Sequence, residues 1–315
     1  SALLRTSEWL AHLDREYLGG YVQAGGAAVK FAVPCDGTTA KDVLSAVDAK
    51  ATSRGYVHVQ LDAATTRIHL ADRLFFAIAE QVPWDQLVVA VLGRRAAAEG
   101  LQLPELVSAQ GLAGQIATAS VVDEEYVRMT VTRGIVESVF KDRDLAKDFR
   151  IAMTWLCRAR LNGGDEGATM TAAISAWLTG KVSAISAMKP YQIYTKVNRT
   201  NARYLLESLF VWVRKGGRPG TVLLVDISRL THREHPTDGS VNYTKAALLD
   251  AYEVLRQFVD STDDLTGALF VVAGDEAFLD TEAGSRGLAA YQALKNRIFD
   301  EVLDRSHPNP MASLV

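Results

Sequence analysis

Strand-like runs along the chain fall into two groups that lie far apart in the sequence. The first group comprises Ala27 to Pro34 and Tyr56 to Asp62, and the second comprises Thr221 to Asp226 and Ala268 to Ala273. The second group contains the continuous apolar runs Val222 to Val225 and Leu269 to Val272, which are typical of strands covered by helices on both faces. We therefore predict four strands, and the single helix expected between the first two predicts a parallel βαβ pair.

The segment between the two groups, from Ala63 to Gly220, has helical periodicity and almost no strand pattern. Its predicted helices are Leu70 to Val82, Trp84 to Glu99, Asp123 to Phe140, Asp144 to Leu161 and Thr169 to Leu178. The glycines of 163–167 predict a flexible loop between two of them. The whole pattern predicts an α/β fold with a parallel sheet core and a large helical insertion, divided into residues 1–100, 101–198 and 199–315.

Composition limits the classes of partner. The chain has 315 residues, of which 48% are hydrophobic and 23% charged, as in ordinary globular proteins. Its net charge of −3 gives no general attraction for nucleic acid, so any DNA contact has to be local. The two cysteines, Cys35 and Cys157, lie far apart, and no apolar run is long enough to span a bilayer. We therefore expect a cytoplasmic protein without a disulfide and without a membrane partner.

The segment 33–42 lies where a phosphate-binding loop would lie, between an apolar strand and a helix that we predict from Asp42 to Ala49. In G-x-x-x-x-G-K-[ST], the glycines let backbone amides wrap the phosphates, the lysine reaches the β- and γ-phosphates, and the hydroxyl holds Mg²⁺. If Pro34 takes the place of the first glycine, Thr39 replaces the second glycine, Ala40 the lysine and Lys41 the hydroxyl.

The loop therefore keeps only a vestige of nucleotide chemistry. Its vestigial binding residues are Gly37, Thr38, Thr39 and Lys41. Lys41 is a poor substitute for the missing lysine, because one step along a helix turns a side chain by about 100°. We expect no cofactor, and at most weak binding of ATP with Mg²⁺.

The strand Val222 to Val225 is followed by Asp226, which matches the Walker B pattern of four apolar residues and an acid. In active ATPases the acid acts on Mg²⁺ and a following glutamate orients the attacking water. Here Ile227 follows, and isoleucine cannot polarise water. We predict no catalytic residue and treat Asp226 as vestigial; the alternative is that it simply caps a turn at the strand end.

Several short passages, in the same order, resemble one family. The passages are Gly25 to Phe31, Arg54 to Tyr56, Val59 to Asp62, Asn201 to Arg203, Leu205 to Leu209, Asn242 to Lys245, Val271 to Gly274, and Arg286 to Leu288 with Tyr291, Leu294 and Arg297. Together they resemble the ATP-binding proteins of bacteriophage-exclusion (BREX) systems, the BrxD-like P-loop ATPases. The resemblance extends from about residue 16 to about residue 303.

The resemblance implies a P-loop NTPase core of the AAA or STAND kind that acts in prokaryotic antiviral defence. It implies partners from the same operon, such as a nuclease, a methyltransferase or a helicase of a restriction-modification type, with DNA contacted through them. Arg286 and Arg297 resemble the arginines that ring ATPases use in trans. In a vestigial site we expect them to form interface salt bridges or to contact a partner.

Other clusters of polar residues favour ordinary surfaces. Lys141, Arg143, Lys147 and Arg150 alternate with Asp142, Asp144 and Asp148, which favours a solvated helix face over a DNA-contacting strip. The passage His232-Arg233-Glu234-His235 lacks a further ligand, and we predict no metal site.

Three functions remain open from the sequence. The first is a pseudo-ATPase that serves as a structural and interaction module for DNA-processing partners. The second is an active ATPase with an atypical nucleotide loop that works within a defence complex. The third is a DNA-binding adaptor whose contacts come from the helical insertion.

Overall fold

The computed structural model describes residues 4–35, 37–280, 282, 284–298, 309 and 311–315. Contacts within the chain divide it into two compact units. The first unit contains residues 1–82 and 218–315, and the second contains residues 83–217.

A parallel four-stranded sheet lies in the first unit. Its strands are β1 (Ala27–Ala32), β2 (Val57–Asp62), β3 (Thr221–Asp226) and β4 (Ala268–Ala273), and their order in the sheet is β1-β4-β3-β2. The four predicted strands are confirmed. The predicted β1–β2 pair is wrong, because β4 and β3 lie between these strands and place them at opposite edges of the sheet.

Helices make up most of the remaining structure. Among the described residues the α-helices are α1 (Thr6–His12), α2 (Ala40–Ser53), α3 (Ala71–Ala79), α4 (Trp84–Ala98), α5 (Leu112–Ser120), α6 (Glu124–Ile135), α7 (Lys147–Asn162), α8 (Gly164–Leu178), α9 (Ala202–Lys215), α10 (Ser228–Thr231), α11 (Lys245–Asp260) and α12 (Gln292–Ile298). Two π-helical segments, Leu13–Tyr21 and Val136–Phe140, continue α1 and α6.

Both faces of the sheet are covered, which explains why every residue of β3 and β4 is buried. On one face, Trp9 of α1 and Val47 of α2 belong to the same buried cluster as Leu224 and Val271. On the other face, Leu223 of β3 lies with α3 and α11 side chains. Each fully buried aliphatic side chain of this kind contributes about 1.5–3 kcal/mol, so the sheet is a stable platform for the loops at its ends.

The second unit contains helices and connecting loops but no strand among its described residues, and α7 contacts α4, α5, α6 and α8. The unit extends over residues 83–217 rather than the expected 101–198, because α4 packs on α6 and α7 and α9 packs on α4.

The glycine-rich segment of the second unit is not the flexible loop that we predicted. Gly163 has a φ of +67° and separates α7 from α8, which then begins at Gly164. A Cβ on Gly167 would lie 2.6 Å from the carbonyl oxygen of Ala159 in α7. Gly167 therefore allows α8 to pack closely on α7. In the sequence alone, a glycine that permits close helix packing looks the same as a glycine in a flexible loop.

In the described part of the chain no single helix reaches the length and apolar composition that a membrane span needs. The consecutive helices α3 and α4 meet that test only when counted together across the break between them.

Candidate functional site

The carboxyl ends of the four strands lie at one edge of the sheet, where α/β proteins usually bind ligands. Register pairs Asp62 of β2 with Asp226 of β3, and Asp226 with Ala273 of β4. Ala273 in turn pairs with Ala32, the last residue of β1, through the parallel β1–β4 ladder. The candidate site therefore consists of the four segments that follow these residues.

The loop after β1 and the start of α2 contain the four residues that we predicted as vestigial nucleotide-binding residues. Gly37 has a φ of +81°, in the left-handed region that favours glycine, and no atom lies within 4 Å of the position that a Cβ would take there. The Thr38 amide donates to the Cys35 carbonyl oxygen at 3.2 Å. This amide is therefore already used within the loop. Asp36 lies outside the described residues.

Thr39 and Asp42 form a capping box at the first turn of α2. The Thr39 amide and hydroxyl both donate to Asp42 Oδ2, at 2.8 and 2.7 Å, and the Asp42 amide donates back to Thr39 Oγ1 at 3.2 Å. The hydrogen bond from the Thr39 side chain lowers the pKa of the Asp42 carboxyl. A helix begins here with its own carboxylate at the position where its dipole favours an anion.

This capping box was missed in the sequence, although Thr39-Ala40-Lys41-Asp42 fits the capping-box pattern with an aspartate at its last position. The helix accordingly begins at Ala40 rather than at Asp42 and ends at Ser53 rather than Ala49. Ala40 faces the core cluster, whereas Lys41 is exposed on the surface of α2.

The space beside this loop is small. Trp9, Pro34, Cys35, Val43 and Val315 are among the residues that line a cavity of about 100 Å³. Pockets that bury a drug-sized ligand have volumes of roughly 300–1,000 Å³. This cavity is smaller than such pockets, and none of the four predicted binding residues is among those that line it.

Asp226 is buried at the end of β3, and its Oδ1 accepts a hydrogen bond from the Ser228 amide at 2.9 Å. This is the turn-capping contact that the sequence left open as the alternative. Ile227 is also buried and lies against Gly274, at the end of β4. The side chain of the residue after the acid therefore packs between two strand ends and contains no polar atom.

Asp62 repeats this arrangement at the end of β2, where its Oδ1 accepts from the Ala64 amide at 2.7 Å. After β4, Asp275 Oδ2 lies 3.0 Å from Thr231 Oγ1 and 3.7 Å from His232 Nε2. Within the described ranges, no three histidine, cysteine, aspartate or glutamate side chains are grouped so that they could hold a metal ion.

The two arginines predicted to act between subunits have partners within the chain. Arg286 donates to the carbonyl oxygens of Leu230 and Tyr243 at 2.9 and 2.7 Å, and burial lowers its pKa. Arg297 forms an ion pair with Asp260 at 2.7 Å. The hydrogen bonds of Arg286 connect the segments after β3 to the segment after β4. The ion pair between Arg297 and Asp260 connects α12 to α11.

One buried cation close to the site was also missed. Lys30 of β1 is only 4% exposed, and its ammonium donates to the carbonyl oxygens of Met311 and Ala312. The segment that supplies these oxygens pairs with the outer edge of β1, where Phe31 bridges Leu314 in parallel. A lysine in an otherwise apolar strand was the available signal.

Comparison with known proteins gives one match. The family model of the BREX system ATP-binding protein BrxC/D matches residues 16–315. No curated protein and no solved structure matches the chain. Since the family match covers nearly the whole chain, the predicted resemblance is confirmed, and the chain belongs to the BrxC/D family of BREX system ATP-binding proteins.

Proposed function

We propose that this chain is a pseudo-ATPase of a phage-defence system, in which a P-loop-type core serves as a structural and interaction module. Membership of the family implies partners from the same operon. We propose DNA-processing enzymes among them, namely a nuclease, a methyltransferase or a helicase. The observation that carries the proposal is the capping box of Thr39 and Asp42 at the start of α2.

A phosphate-binding loop works because backbone amides at a helix N-terminus have no other partner and point at the ligand. At α2 the amides of Thr39 and Asp42 already donate to each other's side chains. A triphosphate at this position would have to displace the Asp42 carboxylate or lie beside it, and the two negative charges would repel. Two of the amides at the helix end thus have partners without a ligand.

The side chains around the helix end support the same conclusion. The position that aligns with the lysine of the loop is the buried Ala40, and Lys41 points to solvent. A hydrogen bond to a charged group contributes roughly 1.5–3 kcal/mol, so its loss lowers nucleotide affinity by more than about tenfold. The loss of hydrolysis follows from Ile227, because a buried aliphatic side chain cannot orient water.

A thermal-unfolding titration with Mg-ATP tests the proposal. A ligand present at about a hundred times its dissociation constant stabilises a protein by about 2.7 kcal/mol. We expect no change in Tm at millimolar Mg-ATP and no phosphate release above that of a blank preparation.

Two matched variants make the test decisive. Lys41→Ala removes the one lysine of the segment 33–42, which lies in the first turn of α2. Lys50→Ala removes an exposed lysine from the last part of the same helix. If the wild-type protein were stabilised by Mg-ATP, and the stabilisation disappeared in Lys41→Ala or Asp226→Ala but survived in Lys50→Ala, the loop would be a working nucleotide site. The pseudo-ATPase proposal would then be refuted in favour of the active enzyme.

A further inference from the structure

A long stretch of the helical unit contains basic residues and no acidic ones. Between Glu166 and Glu207 the chain has no aspartate or glutamate, whereas the whole chain has a net charge of −3. The basic residues of this stretch are Lys181, Lys189, Lys196, Arg199 and Arg203. They all lie within residues 180–204, which we call the basic segment. Such a local excess is the electrostatic signature of a nucleic-acid contact.

The basic segment consists of a 3₁₀ helix (Ile185–Tyr191), the loops on either side of it and the first turn of α9, and it is attached to α7 and α8. Met188, Ile193 and Val197 are buried. The indole of Trp155 in α7 donates to the Tyr191 carbonyl oxygen at 2.8 Å, and Trp177 in α8 donates in the same way to Thr195 at 2.9 Å. Because these contacts fix the backbone, the polar side chains between them are presented outward from a defined surface.

All five basic side chains of the segment are exposed. Lys196 donates to the Ser183 carbonyl oxygen at 2.8 Å, and Arg203 pairs with Glu207 at 3.0 Å. Lys189 and Arg199 form no ion pair with any described residue. Their charges are therefore available for a ligand, in contrast to Lys141, which pairs with Glu137 elsewhere in this unit.

Exposed aromatic rings alternate with these charges. Tyr194 is 62% exposed and Tyr204 is 60% exposed. A third tyrosine, Tyr191, lies edge-on to Trp155 with ring centroids 5.6 Å apart, and the guanidinium of Arg158 lies 5.2 Å from the centroid of the Trp155 ring. Rings left in water next to cations offer stacking surfaces for bases beside contacts for phosphates.

The same surface continues from Tyr191 through Trp155 into an open groove of the helical unit. Arg128, Arg133 and Arg158 line this groove together with Trp155. Two carboxylates, those of Glu125 and Glu166, also line it, so the groove adds less positive charge than the basic segment does.

We propose that the basic segment, with Trp155 and Arg158 at its border, binds single-stranded nucleic acid. Phosphates contact Lys189 and Arg199, and unpaired bases stack on Tyr194 and Tyr204. Single strands fit better than a duplex, because only bases that are not paired within a helix can reach exposed rings. This site does not depend on the state of the loop after β1, so it stands or falls separately from the pseudo-ATPase.

Fluorescence anisotropy with a fluorescein-labelled oligothymidylate tests the site. The length should be about 20 nucleotides, because single-strand sites typically cover about 4–16. Tyr194→Ala and Tyr204→Ala should each weaken binding by about fivefold or more, since base stacking on an aromatic side chain contributes about 1–3 kcal/mol. Tyr194→Phe and Tyr204→Phe keep the rings and should bind as the wild type does.

The electrostatic part has its own signature. The double variant Lys189→Ala/Arg199→Ala removes two phosphate contacts and should reduce the slope of log K against log salt by about 1.4. The matched control is Arg143→Ala/Lys147→Ala, which removes two exposed cations of the same helical unit outside the segment. The control should leave affinity and slope nearly unchanged.

Several results would overturn the proposal. These are the absence of oligothymidylate binding at low salt, equal losses in the control pair, and an unchanged affinity in both Tyr→Ala variants. Binding of a duplex of the same length as tightly as the single strand would replace the site with a duplex-binding one. Equal competition by polyglutamate would indicate an acidic protein partner instead.

Discussion

Lys30 should make the stability of the protein depend on pH in an unusual range. Its ammonium is buried in β1, lies 4.5 Å from the centroid of the Tyr17 ring and donates to the Met311 and Ala312 carbonyl oxygens at 2.5 and 3.0 Å. No carboxylate among the described residues forms an ion pair with it. Burial lowers its pKa from 10.5 to about 8.

The direction and size of the effect follow from linkage. Between about pH 8 and pH 10.5 the unfolded chain binds the Lys30 proton more tightly than the folded one, so the free energy of unfolding rises with pH in this window. Below pH 8 both states are protonated, and the contribution of Lys30 is constant. Because a tenfold difference in proton affinity corresponds to 1.36 kcal/mol, the full rise amounts to about 3 kcal/mol.

Urea unfolding of the wild type and of Lys30→Met, followed by circular dichroism between about pH 7 and pH 10, measures this effect. The free energy of unfolding of the wild type relative to Lys30→Met should increase by up to about 3 kcal/mol over the range. Tyrosines titrate in the same range, but they do so in both proteins, and the difference removes most of their contribution. The free energy of unfolding of Lys41→Met, which alters an exposed lysine, should change with pH in the same way as that of the wild type. If Lys30→Met did so as well, the reasoning about the buried charge would be refuted.

Three further predictions concern the candidate site and the core. Thr39→Ala should lower the free energy of unfolding by about 1 kcal/mol through the loss of the N-cap, whereas Thr39→Ser should keep most of the wild-type stability. If a urea titration gave equal free energies of unfolding for the wild type and both variants, the cap would not be formed. Leu224→Ala should cost about 2–5 kcal/mol in the same titration, because this side chain is fully enclosed in β3, whereas a cost below about 1 kcal/mol would contradict its packing. Cys157 is buried and its thiol pKa is raised, so an aromatic disulfide reagent should modify it only after unfolding, and rapid reaction in the native protein would be inconsistent with its position in α7.

The strands could be predicted from the sequence because three of them are short, mostly apolar runs, and β2 alternates apolar and polar residues. Their order could not be predicted in the same way. β1 and β2 are joined by one helix, and local pattern alone favours pairing them. However, β3 and β4 begin about 160 and about 205 residues after β2 and lie between β1 and β2 in the sheet. Pairing between strands that are distant in the chain depends on how complete sheet and helix faces pack together, and a short stretch of sequence carries no information on that packing.

The sequence predicted where the segments of the candidate site lie in the sheet, but it did not predict the hydrogen bonds of their polar groups. The loop after β1 and the acid that ends β3 do lie at the same edge of the sheet. What the sequence did not reveal was how the polar groups of the loop are used. A Thr-x-x-Asp pattern is common, and only the hydrogen bonds of Thr39 and Asp42 show that it caps α2. Likewise, Arg286 was expected to reach a partner, but its guanidinium bonds two carbonyl oxygens of its own chain.

The threonine at position 39 has two effects: it restricts the backbone of the loop, and it caps α2. A glycine there would supply backbone freedom to a phosphate loop, and a threonine removes that freedom while adding the side chain that caps α2. The helix that would need an anion for stability in a nucleotide-binding protein then has an internal one, the carboxylate of Asp42. Its first turn no longer depends on a ligand, and the sheet behind it is buried on both faces. A core of this kind can keep its shape for partners without nucleotide, which is the property that a pseudo-ATPase module requires.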